Sequence, residues 1–182
     1  MPSIYLANAQ SLLPKLNELC VIASVIHPDI IIICETWLTE LVSDSQVLLP
    51  NFSSLFRKDR CDGRRGGGVA IFVHDSIFVK RLDSINLPDF ISEDVWIILP
   101  SVKLLIIALY IPPSLRSQEL AYVNDELINR IEDSLESYPN FKVIIAGDLN
   151  NFSTNEIEET FNLVQVVASP TRGGSVAGQS HN

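Results

Sequence analysis

The spacing of apolar positions changes repeatedly along this chain, and the changes mark out its elements. Ile4 to Asn8 reads as a short strand. Leu12, Leu16, Leu19, Cys20, Ala23 and Ile26 then recur at helical spacing, with Ser11 as the expected N-cap and Pro14 tolerated in the first turn. Asp29 to Cys34 is a nearly unbroken β-branched run, the pattern of a strand buried on both faces. Antiparallel strands are predicted at Phe52–Arg57, Val69–His74, Phe78–Asp83, Val95–Leu99 and Lys103–Ile111, with a hairpin turn at Pro100-Ser101. Leu120, Val123, Leu127, Ile131 and Leu135 define a second amphipathic helix over Ser117–Ser137. A buried strand at Lys142–Ala146, a short acidic helix after Asn155 and a weaker strand at Leu163–Val167 complete the pattern. The Gly- and Ser-rich tail from Arg172 is expected to be unstructured.

Strand–helix–strand thus occurs twice. A right-handed crossover makes the two flanking strands parallel, so their C-terminal ends meet at one sheet edge. In the first unit those ends carry Asn8 and Glu35; in the second they carry Tyr110 and Asp148, with Asn150 two residues on. Polar groups at the carboxyl ends of buried strands are where sites in such sheets usually lie. Two such halves stacked as sheets would let all five residues line one cleft.

Composition narrows the class. The 182 residues are 47% hydrophobic, enough for one domain with a sizeable core. The longest apolar region, Trp96 to Ile111, is broken by Pro100 and Lys103 and is too short for a membrane span, and no basic flank precedes an apolar signal segment. Three widely spaced cysteines, Cys20, Cys34 and Cys61, form no zinc pattern and are expected to be buried free thiols of an intracellular protein, nuclear or cytoplasmic. A net charge of −9 opposes nonspecific nucleic-acid binding. Arg57, Lys58, Arg60, Arg64 and Arg65 nevertheless crowd into one short segment, which can hold a phosphate backbone or simply be solvated surface.

Individually the candidate residues have two readings each. Glu35 at the mouth of a strand suits a hard cation, which prefers one or two carboxylates and keeps several waters, but it also suits a turn. Asp148 and Asn150, in Gly147-Asp148-Leu149-Asn150, suit a general base with a nearby orienting amide, or an Asx turn. Tyr110 before Ile111-Pro112-Pro113 is either a site residue or a strand-end tyrosine whose hydroxyl finds a partner. Arg64-Arg65-Gly66-Gly67-Gly68 is either a flexible turn or a basic hairpin meeting phosphates; it lacks the ending of a nucleotide-binding P-loop.

Together the motifs resemble a known family. Asn8-Ala9-Gln10-Ser11-Leu12 is followed by Pro28-Asp29-Ile30 and Glu35-Thr36-Trp37-Leu38, then by Asp59-Arg60 and Arg65-Gly66-Gly67-Gly68-Val69. Tyr110-Ile111-Pro112-Pro113, Gly147-Asp148-Leu149-Asn150 and Ser169-Pro170-Thr171-Arg172 come after them. This order is similar to the endonuclease/exonuclease/phosphatase superfamily, specifically the apurinic-endonuclease-like domain of non-LTR (LINE-type) retrotransposon polyproteins. The resemblance runs from residue 3 to about 173, and 174–182 would be tail. It implies a four-layer α/β sandwich of two mixed sheets, like deoxyribonuclease I. It also implies metal-dependent hydrolysis of a DNA phosphodiester that frees a 3′-hydroxyl for a downstream reverse transcriptase domain. By position, Glu35 and Asn8 would hold Mg²⁺ (or Mn²⁺), Asp148 would activate water and Asn150 would orient it. Tyr110 would support the developing phosphorane charge, Thr171 would lie near the scissile phosphate, and Arg60, Arg64 and Arg65 would contact DNA phosphates.

The family pattern continues with a Leu-Asp strand and a Ser-Asp-His motif, which this sequence does not contain; Ser180-His181-Asn182 matches the latter only superficially. The expectation is therefore a domain lacking its last strands and impaired in nicking. A catalytically dead remnant that keeps the fold, or a phosphatase branch of the superfamily, is the alternative.

Overall fold

The computed structural model describes residues 1–61, 63, 66–83, 87 and 92–167. Among these residues eight strands and three α-helices follow in the order β1 (Ile4–Asn8), α1 (Leu16–Ile26), β2 (Ile30–Cys34), β3 (Ser54–Lys58), β4 (Val69–Val73), β5 (Lys80–Arg81), β6 (Glu93–Leu99), β7 (Leu104–Tyr110), α2 (Ser117–Ser137), β8 (Lys142–Asp148) and α3 (Asn155–Phe161). They form two mixed sheets, β1-β2-β4-β3 and β5-β6-β7-β8. In each sheet one pair is parallel, β1 with β2 and β7 with β8, as the crossovers through α1 and α2 require.

Period-two alternation explains the layering. Ile30, Ile32 and Cys34 of β2 and Val69, Ile71 and Val73 of β4 meet Val95, Ile97, Ile106 and Ala108 of the opposite sheet in one central core. Their neighbours Ile31, Ile33, Ala70 and Phe72 face the other way, against Leu19 and Ala23 of α1. Trp96, Ile98, Leu105 and Ile107 likewise pack on Val123, Leu127 and Ile131 of α2. The result is helix, sheet, sheet, helix: the expected four layers. The outer strands β1 and β8 are half-buried, whereas β2, β4, β6 and β7 are buried throughout.

Several local expectations are corrected. Ser11 does not cap α1; its φ is +87°, and a 3₁₀ turn over Leu13–Lys15 precedes the helix. An N-cap needs extended backbone, whereas Ser11 is held left-handed where its N–H, like that of Leu12, bonds the loop carbonyls of Glu35 and Thr36. The strand expected over Phe78–Asp83 shrinks to Lys80–Arg81. The hairpin between β6 and β7 closes through a 3₁₀ turn at Pro100–Val102, with Lys103 left-handed. Leu163–Val167 is not a strand; Val164 and Val166 lie exposed there. Of the thiols, Cys34 is buried, Cys20 half-buried and Cys61 exposed, so burial holds fully only for the first.

One buried carboxyl has a measurable consequence. Asp94 accepts hydrogen bonds from Leu87 N and from Trp96 Nε1 (2.5 Å), yet burial outweighs both and pushes its pKa up to about 6. An unfolded aspartate titrates near about 4. The folded chain therefore binds this proton more tightly, so the group's contribution is most favourable below about pH 4 and is lost as pH rises through about 6. Asp94→Asn should gain roughly 1–3 kcal/mol relative to wild type between pH 4 and pH 7, read by chemical denaturation. A difference independent of pH would show that Asp94 carries no such penalty.

Candidate active site

The alternation that fills the central core also aims its polar members. Tyr110 shares its face with Leu104, Ile106 and Ala108 in the core between the sheets. Continuing the period, Asn8 follows Ile4 and Asp148 follows Ile144 and Ala146, all of which pack against that core. Parallel register sets Asn8 beside Cys34 and Tyr110 beside Asp148. Asn8 Nδ2 donates to Asp148 Oδ2 at 2.5 Å, a bond between residues 140 apart in sequence, and to Glu35 Oε1 at 2.7 Å. One amide thus joins two carboxylates across the two sheets.

Glu35 reaches this position by a backbone device. It follows Cys34 and by simple alternation would face α1, but its φ of +51° reverses the chain. Trp37 (+53°), Gln10 (+46°), Ser11 (+87°) and Asn150 (+47°) are left-handed as well. A non-glycine residue in this region costs about 1–2 kcal/mol, and such outliers collect where geometry is over-determined by the surroundings. Here the surroundings are a set of interloop bonds: Ser11 N to Glu35 O, Leu12 N to Thr36 O, Thr36 N to Gly68 O and Trp37 N to Gly67 O, at 2.9–3.3 Å. Thr36 is fully buried at their centre.

Asn150 is exposed on its turn and donates from Nδ2 to Ile111 O at 2.8 Å, which ties it to the end of β7 beside Tyr110. Tyr110 is 6% exposed. Burial raises its phenol pKa, the charge of Glu35 adds to the rise, and the Arg60 guanidinium opposes it. Cys34 lies between the halves with its Sγ 3.8 Å from Leu109 O, and burial pushes its thiol up to about 12, which leaves it without thiolate character at neutral pH.

Arg60 does not stand on an open loop. Its side chain is 9% exposed; Nε and Nη2 donate to Glu93 at 2.7 and 3.3 Å, and Cζ lies 5.4 Å from the Tyr110 ring centroid. The glycine run has a packing reason that neither sequence reading supplied. A Cβ on Gly67 would lie 2.6 Å from the Arg60 guanidinium, and one on Gly68 would collide with Thr36 Oγ1. Arg64, Arg65 and Thr171 lie outside the described residues.

Sequence reasoning missed Glu93 and Thr36. Glu93 is 3% exposed and pairs directly with Tyr110 across β6 and β7. Its signal was present: two acids, Glu93 and Asp94, run straight into the apolar strand that follows, and charge is seldom placed beside a buried strand without a partner.

Among the described residues no group of three or more His, Cys, Asp or Glu side chains forms a ready-made metal cluster. The donor set at the cleft is two carboxylates and one amide, all hard oxygen donors when the amide presents Oδ1. That composition fits a cation such as Mg²⁺, which takes one or two carboxylates and fills its remaining positions with water. The Asn8 amide, set between two anions, occupies the space where positive charge is needed. A hollow of about 180 Å³ between β1 and α1, lined by Lys15, Glu18 and Ile22, lies on the opposite face of β1 and shares only Asn8 with the cleft.

Comparison with known proteins agrees with this architecture. The sequence profile of the Endonuclease/Exonuclease/phosphatase family matches residues 6–160. No curated protein sequence matches the chain. Among solved structures, the chain is similar to a 3′ phosphatase, NExo, from Neisseria bound to a product DNA hairpin, with TM-score 0.59 and 17% identity over 82% of this chain and 58% of that one. It is similar to an AP endonuclease from Archaeoglobus fulgidus (TM-score 0.54, 17% identity, 87% of this chain and 63% of that one). TDP2 from C. elegans gives TM-score 0.55 and 17% identity over 82% of this chain and 48% of that one. At these identities the likeness establishes the fold. The chain spans roughly half to three fifths of the solved structures it matches.

Proposed function

The chain belongs to the endonuclease/exonuclease/phosphatase family, and from that membership we propose that it is a divalent-metal-dependent phosphodiester hydrolase acting on DNA, of the nicking kind found in non-LTR retrotransposons. The observation that carries the proposal is the joining of Glu35, Asn8 and Asp148 across the two sheets beside Tyr110. Strand ends from two separate crossover units supply it, with left-handed backbone at Glu35 and Asn150.

In this reading Glu35 and Asn8 hold Mg²⁺ (or Mn²⁺), which when bound supplies Lewis-acid stabilisation of charge on the phosphate. Asp148 accepts a proton from water as the water oxygen bonds to phosphorus. Asn150, tied to the end of β7, orients that water. The P–O3′ bond then breaks, leaving a 5′-phosphate and, after proton uptake, a 3′-hydroxyl. Tyr110, with its phenol held protonated by burial, donates to the phosphoryl oxygens as negative charge grows on them. Thr171 is assigned near the scissile phosphate, and Arg64 and Arg65 to backbone phosphates, by the resemblance alone. A reverse transcriptase domain downstream, using the freed 3′-hydroxyl, is the partner that the motif order implies. No helix among the described residues is long and apolar enough to cross a membrane.

The test is nicking of supercoiled plasmid by the chain in Mg²⁺. Nicking should stop on chelation and return with Mg²⁺ or Mn²⁺. Glu35→Gln should raise the Mg²⁺ concentration for half-maximal nicking by about 100-fold, the upper end of what even indirect partners of a metal contribute. An unchanged metal requirement would remove Glu35 from the ligand set. Release of phosphate from a 3′-phosphorylated end, with no cleavage of internal linkages, would instead place the chain in a phosphatase branch of the family.

A further inference from the structure

Glu93 has no part in the chemistry just described, yet it is the most deeply buried acid on the cleft face. A buried ion pair is weak evidence for stability, because desolvation of both charges offsets their attraction and an apolar pair of similar size often serves as well. The Arg60–Glu93 pair therefore calls for another account, and its geometry supplies one. Glu93 stands directly opposite Tyr110 in the β6–β7 register. Both its oxygens receive Arg60, Nε at 2.7 Å and Nη2 at 3.3 Å, the two-point contact that fixes a guanidinium plane as well as its position. The plane so fixed holds Cζ 5.4 Å from the Tyr110 ring centroid, within cation–π range. The seat is also shaped for it, since Gly67 leaves the space that any side chain would take from the guanidinium. Gly68 N lies 3.5 Å from Glu93 Oε2, so the same carboxylate steadies the loop that forms the seat.

We infer that Glu93 is a positioning residue for Tyr110, acting through the Arg60 guanidinium that it holds against the phenol ring. Arginine has a long, rotamer-rich side chain, and a two-point partner removes that freedom. With the cation fixed beside it, the phenol is a stronger hydrogen-bond donor toward an oxyanion. The geometric part stands on the fold; its catalytic consequence rests on the phosphodiesterase reading above.

The experiment uses the full chain carrying 3-fluorotyrosine at its four tyrosines, with the Tyr110 fluorine resonance assigned by its loss in Tyr110→Phe. Glu93→Gln and Arg60→Gln should each displace that resonance to the same position, and the double variant should displace it no further. Glu93→Asp, which keeps the charge on a shorter arm, should fall between Glu93→Gln and wild type, and it serves if Glu93→Gln does not fold. In plasmid nicking Glu93→Gln should lower the turnover rate about 10–100-fold, as loss of a supporting partner does, with little change in KM. In a Tyr110→Phe background it should lower it no further. A Tyr110 resonance unmoved by Glu93→Gln, or displacements that simply add, would overturn the inference. So would an undiminished Glu93→Gln turnover, or an equal loss with and without the Tyr110 hydroxyl. Absence of nicking by the wild-type chain would count against the functional reading alone, and the fluorine spectra would still decide whether Glu93 positions Tyr110.

Discussion

Asp148→Asn should lower plasmid nicking by about 10²–10⁴, the usual contribution of a positioned general base, while leaving the fold intact. The amide is nearly isosteric with the carboxylate and can still accept the 2.5 Å bond from Asn8 Nδ2. It also removes one of two neighbouring negative charges, so thermal stability should be equal or slightly higher. That separation is what makes the variant informative. Asp148→Ala should be just as inactive but should lose the link between the sheets as well. Single-turnover nicking with protein in excess reads the chemical step for both. A near wild-type rate for Asp148→Asn would show that Asp148 only ties the sheets together, and the base would have to be sought elsewhere.

The largest effect on stability should come one residue earlier. Gly147 pairs with Leu109 in the parallel β7–β8 ladder, and a Cβ at this position would lie 1.7 Å from the Leu109 carbonyl oxygen. The obstacle is backbone in the centre of a sheet, not the end of a flexible side chain, so β8 must move away from β7 to admit a methyl group. Overpacking costs about 1–3 kcal/mol, and each buried ladder bond lost adds on the order of 1–3 kcal/mol. Gly147→Ala should therefore lose roughly 3–5 kcal/mol. At about 2–4 °C per kcal/mol for a domain of this size, that is a drop in Tm of about 10 °C or more. Gly63→Ala is the control, since nothing lies within 4 Å of a Cβ there and only the left-handed backbone opposes it. It should cost about 1–2 kcal/mol. Equal melting temperatures for the two variants would show that β8 yields easily at Gly147.

The parts of the fold that were legible in advance are those where burial dictates residue type. The run Ile30–Cys34 and the helical spacing of Val123, Leu127 and Ile131 have no other stable use, and both elements formed where the pattern placed them. Periodicity set Asn8 beside Glu35 and Tyr110 beside Asp148, each within its own crossover unit, and the family resemblance supplied the stacking that would bring the two pairs together. What escaped was decided by contacts between distant segments. The Ser11 cap failed because Ser11 is held left-handed where its N–H bonds the Glu35 carbonyl, a distant contact that no local rule weighs. Arg60 was read as part of a basic surface because charge density is a one-dimensional property, whereas its partner Glu93 is 33 residues away. Leu163–Val167 has the composition of a strand, but a strand also requires a neighbour's backbone groups, and composition does not provide them.

Among the described residues the two sheets are consecutive in the chain: the strands of one lie within residues 4–73 and those of the other within residues 80–148. Synthesis from the N-terminus therefore completes one layer before the next begins, and each can form its own pairings without waiting for the other. Asn8 and Glu35 belong to the early layer, Tyr110 and Asp148 to the late one, so the cluster they form is assembled only when the layers close on each other. A nascent or half-folded chain holds each half of the cluster but not the whole, so the joined arrangement exists only once both layers have formed.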